Sequence, residues 1–253
     1  MKRVSIRINS DISPRIVIEK FESLMAFYRG NGQVLGKVQS EYISGNTVIG
    51  MPYTPEEGSL SRELNNHYVK KQIEWFEEHC RSDLKIETAG TAYEKPLSVC
   101  QCEKPQMYIL EGSVYWSGAP VACGNCYRMV PLYRLPIYYD HGYMPILRWQ
   151  TNYHASEDLF MNDDVGERWA RGQMQNVRSQ LSQQGLEISA NIAELTGTPT
   201  YYHLFNYRYR QRKDQARICP KCKNDWVLSS PLHDAFHYKC DECFLLSSHS
   251  NNF

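Results

Sequence analysis

Eight of the nine cysteines fall into two tetrads, and each tetrad has the spacing of a four-thiolate metal site. The C-terminal set is Cys219-Pro220-Lys221-Cys222 followed, after a gap of 17 residues, by Cys240-Asp241-Glu242-Cys243. Two C-x₂-C pairs at that separation match a zinc-ribbon pattern. Each pair forms a knuckle that points two thiolates at one centre, and the intervening hairpin brings the chain back to close a tetrahedron. The other set is Cys100-Gln101-Cys102 with Cys123-Gly124-Asn125-Cys126. Gly124 is expected to supply the positive φ that a metal knuckle often needs.

Other roles for the cysteines fit less well. A disulfide framework belongs to exported proteins, and Met1-Lys2-Arg3-Val4 leads into a short alternating run instead of an apolar signal core. A cytoplasmic location is therefore expected. A thioredoxin-like redox pair would follow a strand and open a helix, which neither C-x₂-C does. A catalytic zinc keeps one position open and takes His or carboxylate ligands, whereas four thiolates close the shell. His233 and His237 lie in the ribbon loop and could replace a thiolate, but Cys240 and Cys243 make them unnecessary. Two structural zinc ions are expected, held by Cys100, Cys102, Cys123 and Cys126 and by Cys219, Cys222, Cys240 and Cys243.

At 253 residues the chain can bury a sizeable core, and 42% hydrophobic with 22% charged residues is ordinary for a globular protein. No apolar run approaches the roughly 20 residues that span a bilayer, so no membrane partner is expected. Its 28 basic and 28 acidic side chains balance, which argues against coating a phosphate backbone. Eighteen tyrosines suit a recognition surface or the half-buried cover of thin metal-bound lobes.

The first third alternates strands and helices. Val4, Ile6 and Ile8 alternate with polar residues as in a half-buried strand. Ser13-Pro14 then starts a helix whose face is Val17, Phe21, Leu24, Met25 and Tyr28, ending at Gly30. Strand-like runs at Val34–Val38 and Val48–Met51 flank a Ser44-Gly45-Asn46 turn. Leu60, Leu64, Tyr68, Val69, Ile73, Phe76 and Cys80 make one long apolar helical face, and Leu84 with Ile86 suggests a further strand. The order β-α-β-β-α-β is the ferredoxin-like arrangement. Cys80, outside both tetrads, reads as a core residue.

From Ala89 the pattern turns to prolines and short strands at Tyr108–Leu110 and Val114–Trp116, a lobe in which metal can replace a missing core. The prolines of Val130–Pro136 favour an extended course. Val165, Trp169, Met174, Val177 and Leu181 mark a third helix that Gly185 is expected to break. Leu186, Ile188, Ile192 and Leu195 mark a fourth, ending at Gly197. With little basic excess, the two read as a plain helical pair instead of a DNA-reading helix-turn-helix. The expected class is α+β in three parts: a ferredoxin-like module at 1–90, a β-rich metal-bound middle region with the helical pair at 91–200, and a zinc ribbon at 201–253.

Before the ribbon, Tyr207, Arg208, Tyr209, Arg210, Arg212 and Lys213 form a basic, aromatic-interleaved stretch. It is a candidate partner surface, for nucleic acid through phosphate neutralisation and base stacking or for an acidic protein. As a plain solvated edge strand it would carry tyrosines on one face and arginines on the other.

Cys123-Gly124-Asn125-Cys126, the Val130-Pro131-Leu132-Tyr133-Arg134-Leu135-Pro136 run and the terminal tetrad together resemble a bacterial family of unknown function. That family is described as zinc-ribbon-containing and as a candidate for nucleic-acid binding. Some of its members resemble immunity proteins for Rhs-type polymorphic toxins, which implies a cognate toxin domain as protein partner. No glycine-rich phosphate loop, nucleophile elbow or open metal site is present, so no catalytic residue and no enzyme activity are expected. The reading is a zinc-stabilised binding protein, an immunity protein that occludes a toxin; the alternative is nucleic-acid binding through the ribbon and its basic approach.

Overall fold

The alternation at the N-terminus becomes the central strand of a sheet. In the computed structural model, which describes residues 1–36, 38, 40–43, 47–91, 98–113, 116, 118–138, 142–207 and 218–249, strand β1 is Lys2–Asn9 with Val4, Ile6 and Ile8 buried. Helix α1 (Pro14–Gly30) follows, then β2 (Ser40–Ile43), β3 (Thr47–Gly50), the two-residue β4 (Tyr53–Thr54), α2 (His67–Cys80) and β5 (Lys85–Thr91). β1 pairs antiparallel with β3 on one side and with β5 on the other, and β3 pairs antiparallel with β2. β4 adds a short pairing with the start of β1 on the β3 side. The sequence β-α-β-β-α-β with spatial order β2-β3-β1-β5 is a ferredoxin-like sheet region. The apolar stripes of α1 (Val17, Phe21, Leu24, Met25, Tyr28) and α2 (Val69, Ile73, Phe76, Cys80) close over Val4, Ile6 and Ile8.

Details of the first unit and the proline-rich run differ from the sequence expectation. The described residues of the Val34–Val38 run form no strand: Leu35 makes a single bridge to Tyr53, and the outer strand is β2. The long apolar stripe is also not one helix. A separate 3₁₀ turn at Arg62–Leu64 is capped by Ser61, and α2 starts afresh at an Asn66 cap whose side chain accepts from the Val69 N–H. Leu64 is exposed as a result. The proline-punctuated segment is interrupted by a 3₁₀ turn at Leu132–Arg134. There Tyr133 donates to Glu56 Oε1 at 2.8 Å and Arg134 reaches both oxygens of the same carboxylate at 2.6 Å. The expected Ser44-Gly45-Asn46 turn, most of the Val114–Trp116 strand and all of Arg208–Lys213 lie outside the described residues.

Two compact units emerge: residues 1–99 with 129–144, and residues 100–128 with 145–253. The second unit is built on a six-stranded sheet, β7-β6-β8-β11-β10-β9. Its strands are β6 (Tyr108–Leu110), β7 (Val121–Cys123), β8 (Thr200–His203), β9 (Val227–Leu232), β10 (Phe236–Cys240) and β11 (Leu245–Ser247). β6, β8 and β11 run parallel, and the outer pairs are antiparallel. Three helices accompany it: α3 (Met144–Met161), α4 (Glu167–Gln175) and α5 (Gln180–Thr196). The 18-residue α3 is absent from the sequence reading because its buried residues include Ser156 and Glu157, which blur the apolar stripe. Among the described residues no helix is long and apolar enough to cross a membrane.

The expected break at Gly185 is also corrected. α4 ends at Gln175, Asn176–Ser179 form the joint, and Gly185 lies within α5. Ser179 caps α5 by accepting from the Ser182 N–H. Gly185 is there for space: a Cβ at this position would fall 2.6 Å from Cε2 of buried Tyr202. Gly185→Ala thus sets two effects against each other. Helix propensity favours alanine by about 1 kcal/mol, while overpacking typically costs about 1–3 kcal/mol. Because the clash is with a fully buried ring, net destabilisation is expected, read as a lower urea midpoint at unchanged slope. A raised midpoint would contradict this packing.

Candidate metal centres

Both cysteine tetrads assemble, and both lie in the second unit. The ligand sulfurs of Cys100, Cys102, Cys123 and Cys126 lie within 4.8 Å of one another, as do those of Cys219, Cys222, Cys240 and Cys243. Cys222 Sγ and Cys240 Sγ are 3.6 Å apart. Metal–sulfur bonds of about 2.3 Å in a tetrahedron put sulfurs about 3.8 Å apart, so the spacing suits one ion. Either set could hold a metal ion, and each is a closed set of four thiolates with no His or carboxylate among its members.

Two of the three C-x₂-C pairs are built the same way. Cys123 N–H donates to Arg128 O at 2.8 Å while Tyr127 N–H donates back to Cys123 O at 2.8 Å. Cys219 N–H donates to Asn224 O at 2.7 Å while Lys223 N–H donates to Cys219 O at 3.0 Å. In both, the residue just after the second cysteine is left-handed: Tyr127 at φ 49° and Lys223 at φ 71°. Phe244 after Cys243 repeats this at φ 52°. This turn frees the intervening backbone N–H groups to point at sulfur.

The expectation for Gly124 is thereby corrected, because the positive φ sits at Tyr127. Gly124 is needed instead for close approach: a Cβ would lie 2.1 Å from Met107 Cγ and 2.9 Å from Met107 O, the carbonyl that accepts from Gly124 N–H. The shorter C-x-C half is set by Cys102 N–H donating to Cys100 Sγ at 3.3 Å.

The electrostatics favour a cation at both centres. Burial pushes the Cys123 thiol up, but the N–H groups of Asn125 and Cys126 outweigh it and hold the thiol below its ordinary range. Cys219 behaves likewise, with burial opposed by the N–H groups of Cys222 and Lys221. Burial raises Cys100, Cys240 and Cys243, with Cys240 reaching about 11 and crowding by neighbouring sulfurs adding to the rise. A second and third thiolate in one shell therefore require a positive charge between them.

Residues outside the tetrads brace them, and no spacing motif marks these. Tyr201 of β8 donates to Asp241 Oδ1 at 2.5 Å and Lys239 pairs with the same atom at 2.6 Å, anchoring the Cys240 knuckle. Asn224 Nδ2 donates to Glu242 Oε2 at 2.7 Å and so joins the two knuckles of the ribbon. His233, considered above as a replacement ligand, bonds Gly124 O through Nε2 at 2.6 Å and stacks on Tyr127, bracing the first tetrad from the ribbon hairpin. His237 Nδ1 accepts from His249 N–H. Of the basic stretch only Tyr207 is described, half-buried and edge-on to Phe160 of α3.

Substituting one ligand per set should remove one metal ion per chain each time. Cys219→Ser is expected to lose the ribbon ion and Cys123→Ser the other, measured by elemental analysis of purified protein. Metal content unchanged by either substitution, or absent from the parent, would contradict the assignment.

Three family models match the chain in succession, each described as a domain of unknown function: DUF8589 over residues 1–90, DUF2310 over residues 102–205 and DUF8594 over residues 208–253. An uncharacterized protein of Haemophilus influenzae is 29% identical over 231 residues, covering 89% of this chain and 88% of that protein. A second uncharacterized Haemophilus influenzae protein is 32% identical over 150 residues, covering 59% of this chain and 74% of its own length. A solved Deinococcus radiodurans chain, described as a candidate antibiotic biosynthesis monooxygenase, overlaps 36% of this chain and 96% of its own at 17% identity. Its TM-score is 0.27, which bears on neither fold nor activity here. The chain belongs to the family of the second Haemophilus influenzae protein, with the DUF2310 domain of unknown function at its centre.

Proposed function

We propose that this is a zinc-stabilised binding protein whose two ions are structural, and that its task is to cover a protein partner as an immunity protein covers its toxin. The observation that carries the structural role is closure: each centre is four cysteines, leaving no coordination position for water or substrate. Thiolate sets of this kind favour zinc over harder ions.

A protein partner is supported by charge and by surface. Formal net charge is zero, which provides no long-range field for phosphate. In the second unit, Val165 is 79% exposed and Trp169 is 60% exposed, with Leu159 and Met161 exposed beside them. Trp169 and Leu159 border a groove of about 270 Å³ between α3, α4 and α5 whose polar lining is Asn152, Ser156, Gln173, Gln180 and Gln184. A tryptophan beside an uncharged, amide-rich groove suits a polypeptide, whose backbone the amides can bond and whose apolar side chain the ring can cover. Occlusion of this kind needs only a complementary surface.

The test is co-expression and stoichiometry with the toxin domain encoded nearest the gene. One molecule should neutralise one toxin, and Trp169→Ala should weaken the complex by about 2 kcal/mol, roughly thirtyfold in Kd. Substoichiometric protection would contradict occlusion. Nanomolar binding of single-stranded DNA or RNA would favour the nucleic-acid reading instead, if replacing Arg208, Arg210 and Arg212 lowered its salt slope by about 2–3.

A further inference from the structure

Three parallel strands end beside one another on a chain of polar side chains that supplies no ligand to either metal centre. β6 pairs with β8 through Leu110 and Tyr202, and β11 pairs with β8 through Leu246 and His203. Glu111 directly follows β6, His203 is the last residue of β8, and Ser248 directly follows β11. All three leave the sheet at the carboxyl ends of parallel strands, where ligand sites form in sheets of this kind.

Glu111 is 2% exposed. Its Oε2 lies 2.8 Å from His203 Nδ1 and accepts from Tyr127 OH at 3.2 Å, and its Oε1 accepts from the Ser113 N–H at 3.3 Å. Burial alone would raise this carboxyl, but His203 and these donors hold it below its ordinary range, so it is ionised. A carboxylate only accepts, so the hydrogen on His203 is assigned to Nδ1. The same carboxylate raises His203 above its ordinary range against the effect of burial, so it is above that raised value that the ring is neutral and its Nε2 lone pair faces Ser248 Oγ, at 3.4 Å. Phe236 holds the imidazole edge-on at 5.0 Å, and Asn206 Nδ2 fixes the serine's backbone by donating to Ser248 O at 2.9 Å. Ser248 is half-buried. A pair serving only to tie β6 to β8 would be complete with the Glu111–His203 bond; the serine on the opposite nitrogen is what a nucleophilic relay adds.

We propose that Ser248, His203 and Glu111 form a nucleophilic relay of the acyl-transfer class, acting on a carboxylic ester or similarly activated acyl group. Ser248 Oγ bonds to the acyl carbon as its proton passes to His203 Nε2. The carbon–oxygen bond to the leaving alcohol breaks, and the alcohol takes that proton. Water then attacks the acyl-serine, gives a proton to Nε2, and releases the carboxylic acid as Ser248 regains its proton. Ser248 and His203 are the catalytic residues. Glu111 is a positioning residue that fixes the tautomer. The residues are 92 and 45 positions apart in sequence, which is why no local motif announces them. Partner occlusion does not require this relay, and the two readings fail separately.

The experiment is covalent labelling of the full metal-loaded chain with a fluorophosphonate, with the adduct mapped by mass spectrometry and p-nitrophenyl acetate turnover measured alongside. Ser248 should be the modified residue, and His203→Gln should slow its labelling on the order of a hundredfold. Glu111→Gln should slow it too, with Glu111→Asp recovering part of the loss. Metal content and circular dichroism would establish that these variants fold. Ser248→Cys leaves the Glu111–His203 pair intact and should be acylated by p-nitrophenyl acetate faster than free cysteine at neutral pH. Labelling of Ser248 no faster than of other serines, equal labelling in folded His203→Gln, or acylation of Ser248→Cys slower than free cysteine would each overturn the relay.

Discussion

Four cysteine sulfurs held within 4.8 Å of one another, twice over, are the constraint around which the second unit is arranged. Its sheet carries a knuckle near each end: Cys123 closes β7 and Cys240 closes β10. The large apolar side chains that the ribbon buries are Trp226, Phe236, Tyr238, Leu245 and Leu246. β9 is largely exposed, and the buried aromatic content of β10 is Phe236 and Tyr238, the latter stacked on Trp226. Burial opposes ionisation at Cys100, Cys240 and Cys243. Without a cation these would be neutral thiols in loose contact, and the turns that present them would lose their purpose. Metal binding at such sites is folding free energy, about 10–16 kcal/mol in zinc-finger peptides.

The bracing around the knuckles explains how a sheet with short strands keeps its order. Tyr201 on β8 holds Asp241 inside the second knuckle, and His233 on the ribbon hairpin holds Gly124 inside the first. Each bond joins segments far apart in sequence. These contacts make the two centres part of one structure, since the ribbon hairpin that one tetrad folds also supports the other.

What could be read from sequence followed from periodicity and fixed spacing. Val4, Ile6 and Ile8 alternate because β1 has one buried face, and the stripes of α1 and α2 recur because both helices cover that face. The cysteines are legible because tetrahedral coordination demands pairs. What failed was whatever depended on a distant neighbour. Gly185 looked like a helix break because its reason for being glycine, the Tyr202 ring, lies elsewhere in the chain. Gly124 was given a dihedral role when its true constraint is Met107. Helix α3 was hidden by Ser156 and Glu157 on its buried side. The parallel pairing of β6, β8 and β11 has no local signature, and with it went the juxtaposition of Glu111, His203 and Ser248.

The claim that thiolate-bound metal supports the second unit is tested most directly by hydrogen exchange with and without a strong chelator. On metal removal, amides of β6–β11 should lose protection together, while β1, β3, β5, α1 and α2, whose apolar core contains none of the tetrad cysteines, should keep theirs. Protection of β6–β11 unchanged after complete metal removal would contradict the account, as would collapse of both units to the same extent.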